Sequence, residues 1–100
     1  MDPIATAIIA ALAAETTAGA TDVAKKAIED SYEELKSLLK KKFGSNSEVA
    51  SAVESLENKP DSTGRQQTLA EELKLVQASA DPEVLATAQA LLAHLKGQPG

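Results

Sequence analysis

Residues 22–44 read DVAKKAIEDSYEELKSLLKKKFG. Ala24, Ile28, Tyr32, Leu35, Leu39 and Phe43 recur there at spacings of three and four, and Leu38 widens the stripe they make on a helix. Lys25, Lys26, Glu29, Asp30, Glu33 and Glu34 take the opposite side. Acids fall early to middle, Lys40, Lys41 and Lys42 fall last, and Gly44 follows. That order suits the helix dipole and a left-handed C-cap. A helix with one apolar face must be covered by other elements, so the fold depends on what the flanking segments supply.

They supply helices. Towards the N-terminus, Asp2 is placed as an N-cap and Pro3 at the first helical position, where a missing N–H does no harm. Ile4, Ile8, Ile9 and Leu12 then share a face among alanines, Gly19 and Thr21 mark the end, and Thr21 or Asp22 caps the next helix. Towards the C-terminus, residues 45–60 predict a short helix with Val49, Val53 and Leu56 inward, Ser45 and Glu48 at capping-box spacing, and Pro60 as its stop. Residues 60–79 predict a fourth helix with Leu69, Leu73 and Val76 inward. It starts near Asp61 or Ser62, or as late as Thr68, which has capping-box spacing to Glu71. In the last segment Asp81 caps, Pro82 opens, and Val84, Leu85, Ala88, Leu91, Leu92 and Leu95 form a broad stripe ending at Gly97. No stretch reads as a strand, and the connections are short. The expectation is an all-α antiparallel helical bundle with four principal helices and a short accessory helix, one domain over residues 1–97 with a tail at 98–100.

The composition agrees. Of 100 residues, 43% are hydrophobic, and Tyr32 and Phe43 are the only aromatics, which suits closely packed helices rather than sheets. A net charge of −5 argues against nucleic acid, whose binding needs a basic footprint. With no cysteine there is no disulfide and no thiolate chemistry, which fits a reducing cytoplasm.

Catalytic patterns are missing. His94, the sole histidine, lies beside Lys96 in the last turn of the final helix, where a cation matches the dipole. The pairs Glu29/Asp30, Glu33/Glu34 and Glu71/Glu72 lack the Glu-x-x-His that bundle di-metal sites use, and read as solvated faces. The turn at KKKFGSNS lacks the lysine of a phosphate loop, and Arg65 in DSTGRQQ reads as a surface residue beside a helix cap. Neither an enzyme nor a cofactor or metal is expected.

Two features remain. In MDPIATAIIAALAAE no charge stands between Asp2 and Glu15. The stretch is a poor signal peptide, because it has Asp2 where a basic residue belongs. Its uninterrupted apolar run ends at Glu15, short of a membrane span, whereas the low-charge window of residues 3–21, with Glu15 tolerated, holds 19 residues, about 28 Å of helix and close to a hydrocarbon core. The second feature is Lys36, Lys40, Lys41 and Lys42, four of ten basic residues within seven positions. Such a cluster suits an anionic membrane surface at about 1 kcal/mol per lysine.

Through MDPIATAIIAAL, DVAKKAIEDSYEELKSLLKKKFG, ENKPDSTGRQQTLAEEL and DPEVLATAQALLAHL, nearly the whole chain resembles the bacterial HeLo-like (Bell) cell-death domains. The resemblance implies a helical bundle related to fungal HeLo domains and to the four-helix executioner of the mixed-lineage kinase-like necroptosis protein. It implies a membrane-damaging effector. It also implies a nucleotide-binding receptor of the NLR-like class upstream, engaged through a C-terminal amyloid motif. The chain departs from that pattern at Gln98, Pro99 and Gly100, where no β-prone segment follows.

Two functions follow. In the first, the protein is cytoplasmic, self-associates on activation and moves to the inner face of the plasma membrane. Ile4, Ile8, Ile9 and Leu12 then enter the bilayer, and Lys36, Lys40, Lys41 and Lys42 contact anionic lipid. Burial of each large aliphatic side chain is worth about 1.5–3 kcal/mol in core or lipid alike. In the second, the domain is a helical adaptor that never meets lipid, and its first helix is apolar all round because it is buried all round.

Overall fold

The computed structural model describes residues 2–15 and 22–96. Five α-helices follow in order: α1 (Pro3–Glu15), α2 (Asp22–Phe43), α3 (Glu48–Asn58), α4 (Thr63–Leu75) and α5 (Pro82–Lys96). A short 3-10 turn, Ala78–Ala80, joins the last two, and no strand occurs among the described residues. The expected ends of the first and last helices at Gly19, Thr21 and Gly97, and the tail at 98–100, lie outside the described residues.

The helix starts are set by short polar side chains. The Asp2 carboxylate accepts from the Ile4 N–H at 2.7 Å, and that of Asp81 accepts from Glu83 and Val84 at 3.0 and 3.1 Å, as the two Asp-Pro starts predict. α3 starts differently from expectation. Ser47, not Ser45, is its N-cap, accepting from Ala50 N–H at 3.2 Å, which leaves no capping box with Glu48. α4 begins after Ser62, which accepts from Arg65 N–H at 3.3 Å. The later start at Thr68 is excluded, because that hydroxyl lies inside the helix and donates to the Gly64 carbonyl.

Two helix ends use left-handed backbone. Gly44 closes α2 at φ 106°, a region that suits glycine. After α4 the same service falls to Gln77, at φ 54° and ψ 45°, where a side chain costs about 1 kcal/mol or more. That strained residue turns the chain so that Ala78 reaches the core beside Leu73, both fully buried.

The core is drawn from every helix. Ile4, Ile8 and Leu12 of α1 meet Ile28, Tyr32, Leu35 and Leu39 of α2, and Val84, Ala88 and Leu91 of α5. α1 packs most extensively on α5, and α5 in turn on α2. The third helix, expected as an accessory, does more than that: Val49, Val53 and Leu56 are all but fully buried, and α3 packs mainly against α4. Alanines at 5, 7, 11, 52 and 88 are buried too, which lets helices approach closely where aromatic residues would hold them apart. Val76, expected inward, is instead partly exposed at the α4 C-terminus.

Candidate functional site

α1 has two unlike sides. Ile4, Ala5, Ala7, Ile8, Ala11 and Leu12 are buried. Pro3, Thr6 and Ala13 are exposed, with Ala10 half-buried between them, and Ile9 sits half-buried at the margin. Positions 3, 6, 10 and 13 form one stripe at helical spacing, so a whole side of the helix faces water without a charge. Three of the four expected lipid-facing residues, Ile4, Ile8 and Leu12, therefore lie in the core, and only Ile9 is partly accessible. As described, α1 has 13 residues and is about 20 Å long, two-thirds of a hydrocarbon core of about 30 Å. No helix among the described residues is long and apolar enough to cross a membrane.

The lysine cluster is held by carboxylates from two other helices. Lys36, 18% exposed at its side chain, donates to both oxygens of Glu57 at 3.0 and 2.9 Å. The Tyr32 hydroxyl donates to the same carboxylate at 2.5 Å, so one acid of α3 gathers two side chains of α2. The hydrogen bond to Glu57 raises the Lys36 pKa against a smaller opposing effect of burial. Burial alone would raise that of Glu57, but the hydrogen bonds from Tyr32 and Lys36 together bring it below the usual range.

Lys40 reaches Glu54 at 3.6 Å, a looser pair. Lys42 bonds Glu83 at 2.9 Å and Asp81 at 3.1 Å, tying the end of α2 to the start of α5. Its pKa is raised by Glu83 first and Asp81 second. Asp81 is shifted down, chiefly by the Val84 N–H it caps and then by Lys42. Of the four lysines, only Lys41 is exposed without an ion pair among the described residues.

These acids were missed in the sequence because no local pattern joins them to their partners: Lys36 and Glu57 are 21 positions apart, Lys42 and Asp81 39. Arg65 also finds a partner at a distance. Its guanidinium donates to the Ser55 carbonyl at 2.7 Å, clamping the start of α4 to α3. His94 is exposed on α5. Among the described residues no group of three or more histidine or acidic side chains is placed to hold a metal ion.

The arrangement thus offers no assembled chemistry among the described residues, but an uncharged helix face and a set of basic residues locked to acids. Searches of curated proteins and of solved structures each returned no match. A family model, that of the Het-E N-terminal domain, matches residues 1–100, the whole chain. That family comprises fungal heterokaryon-incompatibility domains related to HeLo domains and associated with cell-death signalling, and it is not a known catalytic family. The HeLo-like relationship read from the sequence therefore stands at this coarser level, and the chain belongs to the Het-E N-terminal domain family.

Proposed function

We propose that the chain is a cell-death effector domain that damages membranes through α1 after oligomerisation, as the Bell-like resemblance implies. The observation that carries this reading is the uncharged outer stripe Pro3, Thr6, Ala10 and Ala13. A core helix exposed on one side ordinarily carries charge there. An adaptor helix, apolar because it is buried all round, has no such side. α1 meets lipid on either face without desolvating a charge between Asp2 and Glu15. Its 13 described residues make about 20 Å of helix, less than a relaxed hydrocarbon core of about 30 Å, and several copies together thin the membrane around them. Anionic headgroups then replace Glu54, Glu57, Asp81 and Glu83 as partners of Lys36, Lys40 and Lys42, joined by Lys41.

In this reading the resting protein is cytoplasmic, and its trigger is a nucleotide-binding receptor acting through an amyloid motif outside these residues. The paired lysines favour a second reading, a non-enzymatic adaptor, because a basic surface already neutralised does not attract lipid until the acids let go.

Liposome leakage by the domain fused to an inducible clustering module separates the two. Clustering should release dye from anionic vesicles and much less from neutral ones, with release falling as salt rises. Ala10→Glu keeps the fold, because that edge is half-open, yet an ionised side chain near the middle of a helix costs about 2.5–3.5 kcal/mol on entering lipid. It should cut leakage at least tenfold at unchanged helical content. Intact anionic vesicles under clustering, or full leakage by Ala10→Glu, would leave the adaptor.

A further inference from the structure

Two surface features are unused by the reading above. The first is Leu75, 69% exposed, with Val76 at 37%; no other large hydrophobic side chain is exposed over residues 2–14 and 25–96. They stand at the end of α4, held there by the left-handed turn at Gln77, and Lys74 precedes them without an ion pair among the described residues. The second is an open groove of about 420 Å³ lined by Ile9, Ala13, Pro60, Asp61 and Gln66. Its wall is braced where the Gln66 amide donates to the Pro60 carbonyl at 2.9 Å. Its floor is apolar, and Asp61 at its edge is exposed and likewise without an ion pair among the described residues.

We propose that a second copy of this chain seats Leu75 and Val76 in that groove, with its Lys74 against Asp61. The groove has room for one leucine and one valine side chain, and the charges beside knob and groove are opposite. The knob cannot fill its own groove. Gln66 and Leu75 are nine residues apart on α4, which places them on opposite sides of the helix and about 13 Å apart along it. A knob and a groove on different patches, set on opposite sides of α4, make a head-to-tail contact, in which each copy offers one of each and growth continues until a ring closes or a filament forms. The contact covers Ile9 and Ala13, so it also brings a neighbouring copy onto the outer side of α1. It supplies the self-association that the membrane reading calls for, but does not need lipid.

Sedimentation of the untagged protein up to about 1 mM, without lipid, tests it, since a contact this small is weak. The weight-average mass should rise with concentration. Leu75→Asp should remain monomeric, and Lys74→Glu or Asp61→Lys should each weaken association a few fold, as losing an exposed ion pair does. Combining those two charge changes should restore it. Mixing Leu75→Asp, which keeps its groove, with Ala13→Glu, which keeps its knob, should give a dimer that does not grow. A wild type monomeric throughout, undiminished association by Leu75→Asp, or no rescue by the charge exchange overturns the proposal. Leakage on artificial clustering would survive that failure, so the two readings fall separately.

Discussion

Glu57 shows how much one acid can organise. It takes the Tyr32 hydroxyl at 2.5 Å and the Lys36 ammonium on both oxygens, and neither charged side chain of the pair is more than 27% exposed. Pairs of this kind are shielded from solvent enough to matter, unlike the open Lys26–Asp30 pair, where both side chains stand more than two-thirds exposed. Glu57→Gln keeps the shape and an acceptor for Tyr32 but removes the charge facing Lys36. It should destabilise the fold by about 1–2 kcal/mol, the usual worth of hydrogen bonds to charged groups less some solvent compensation. In thermal unfolding that is a fall of about 4–16 °C for a domain of this size. Glu54→Gln removes only the looser pair with Lys40 and should shift the midpoint far less. Equal shifts would mean that the Tyr32–Glu57–Lys36 cluster has no special standing.

At the scale of the helices, legibility divided between local and non-local signals. The α2 stripe from Ile28 to Leu39, the Asp-Pro starts of α1 and α5, and the inward Val49, Val53 and Leu56 are repeated or punctuated within a few residues, and they appear in the structure as read, with Phe43 half-buried at the stripe's end. The α3 cap was misplaced by two residues because SNS offers two serines, and only the turn after Gly44, with Ser47 N–H donating to its carbonyl, selects the second. The partners of the lysine cluster were invisible, since their separation in the chain leaves no periodicity to detect. α1 was the ambiguous element, and burial now splits it into a core side and an uncharged outer side. That split changes what its removal tests. Deleting residues 2–15 strips Ile4, Ile8 and Leu12 from the core and uncovers α5, its main packing partner. The truncated chain should lose cooperative thermal unfolding and bind a hydrophobic dye, so loss of toxicity in it would report unfolding rather than a missing membrane segment. A truncated chain that still melts cooperatively would show that α1 is separable from the bundle, which favours its release.

For the whole molecule, the latches set a window of pH. Glu57 and Asp81 have folded-state pKa values below their ordinary range, so they stabilise the native state above about pH 4, and that contribution is lost as pH falls through the lower folded values. Lys36 and Lys42 are shifted up, so their contribution is complete below about pH 10 and is lost as pH rises through the higher folded values. Thermal midpoints should therefore be level across the middle of the range and drop at both ends. The acid limb belongs to two sites that couple different helices, α2 to α3 through Glu57 and α2 to α5 through Asp81. Glu57→Gln with Asp81→Asn removes both titrations while an asparagine can still cap α5. In that double variant the midpoint should be lower at neutral pH and should fall less steeply between pH 5 and the acid end. An acid limb as steep as in the wild type would place the responsible protons on other carboxylates and leave the latches without a part in it.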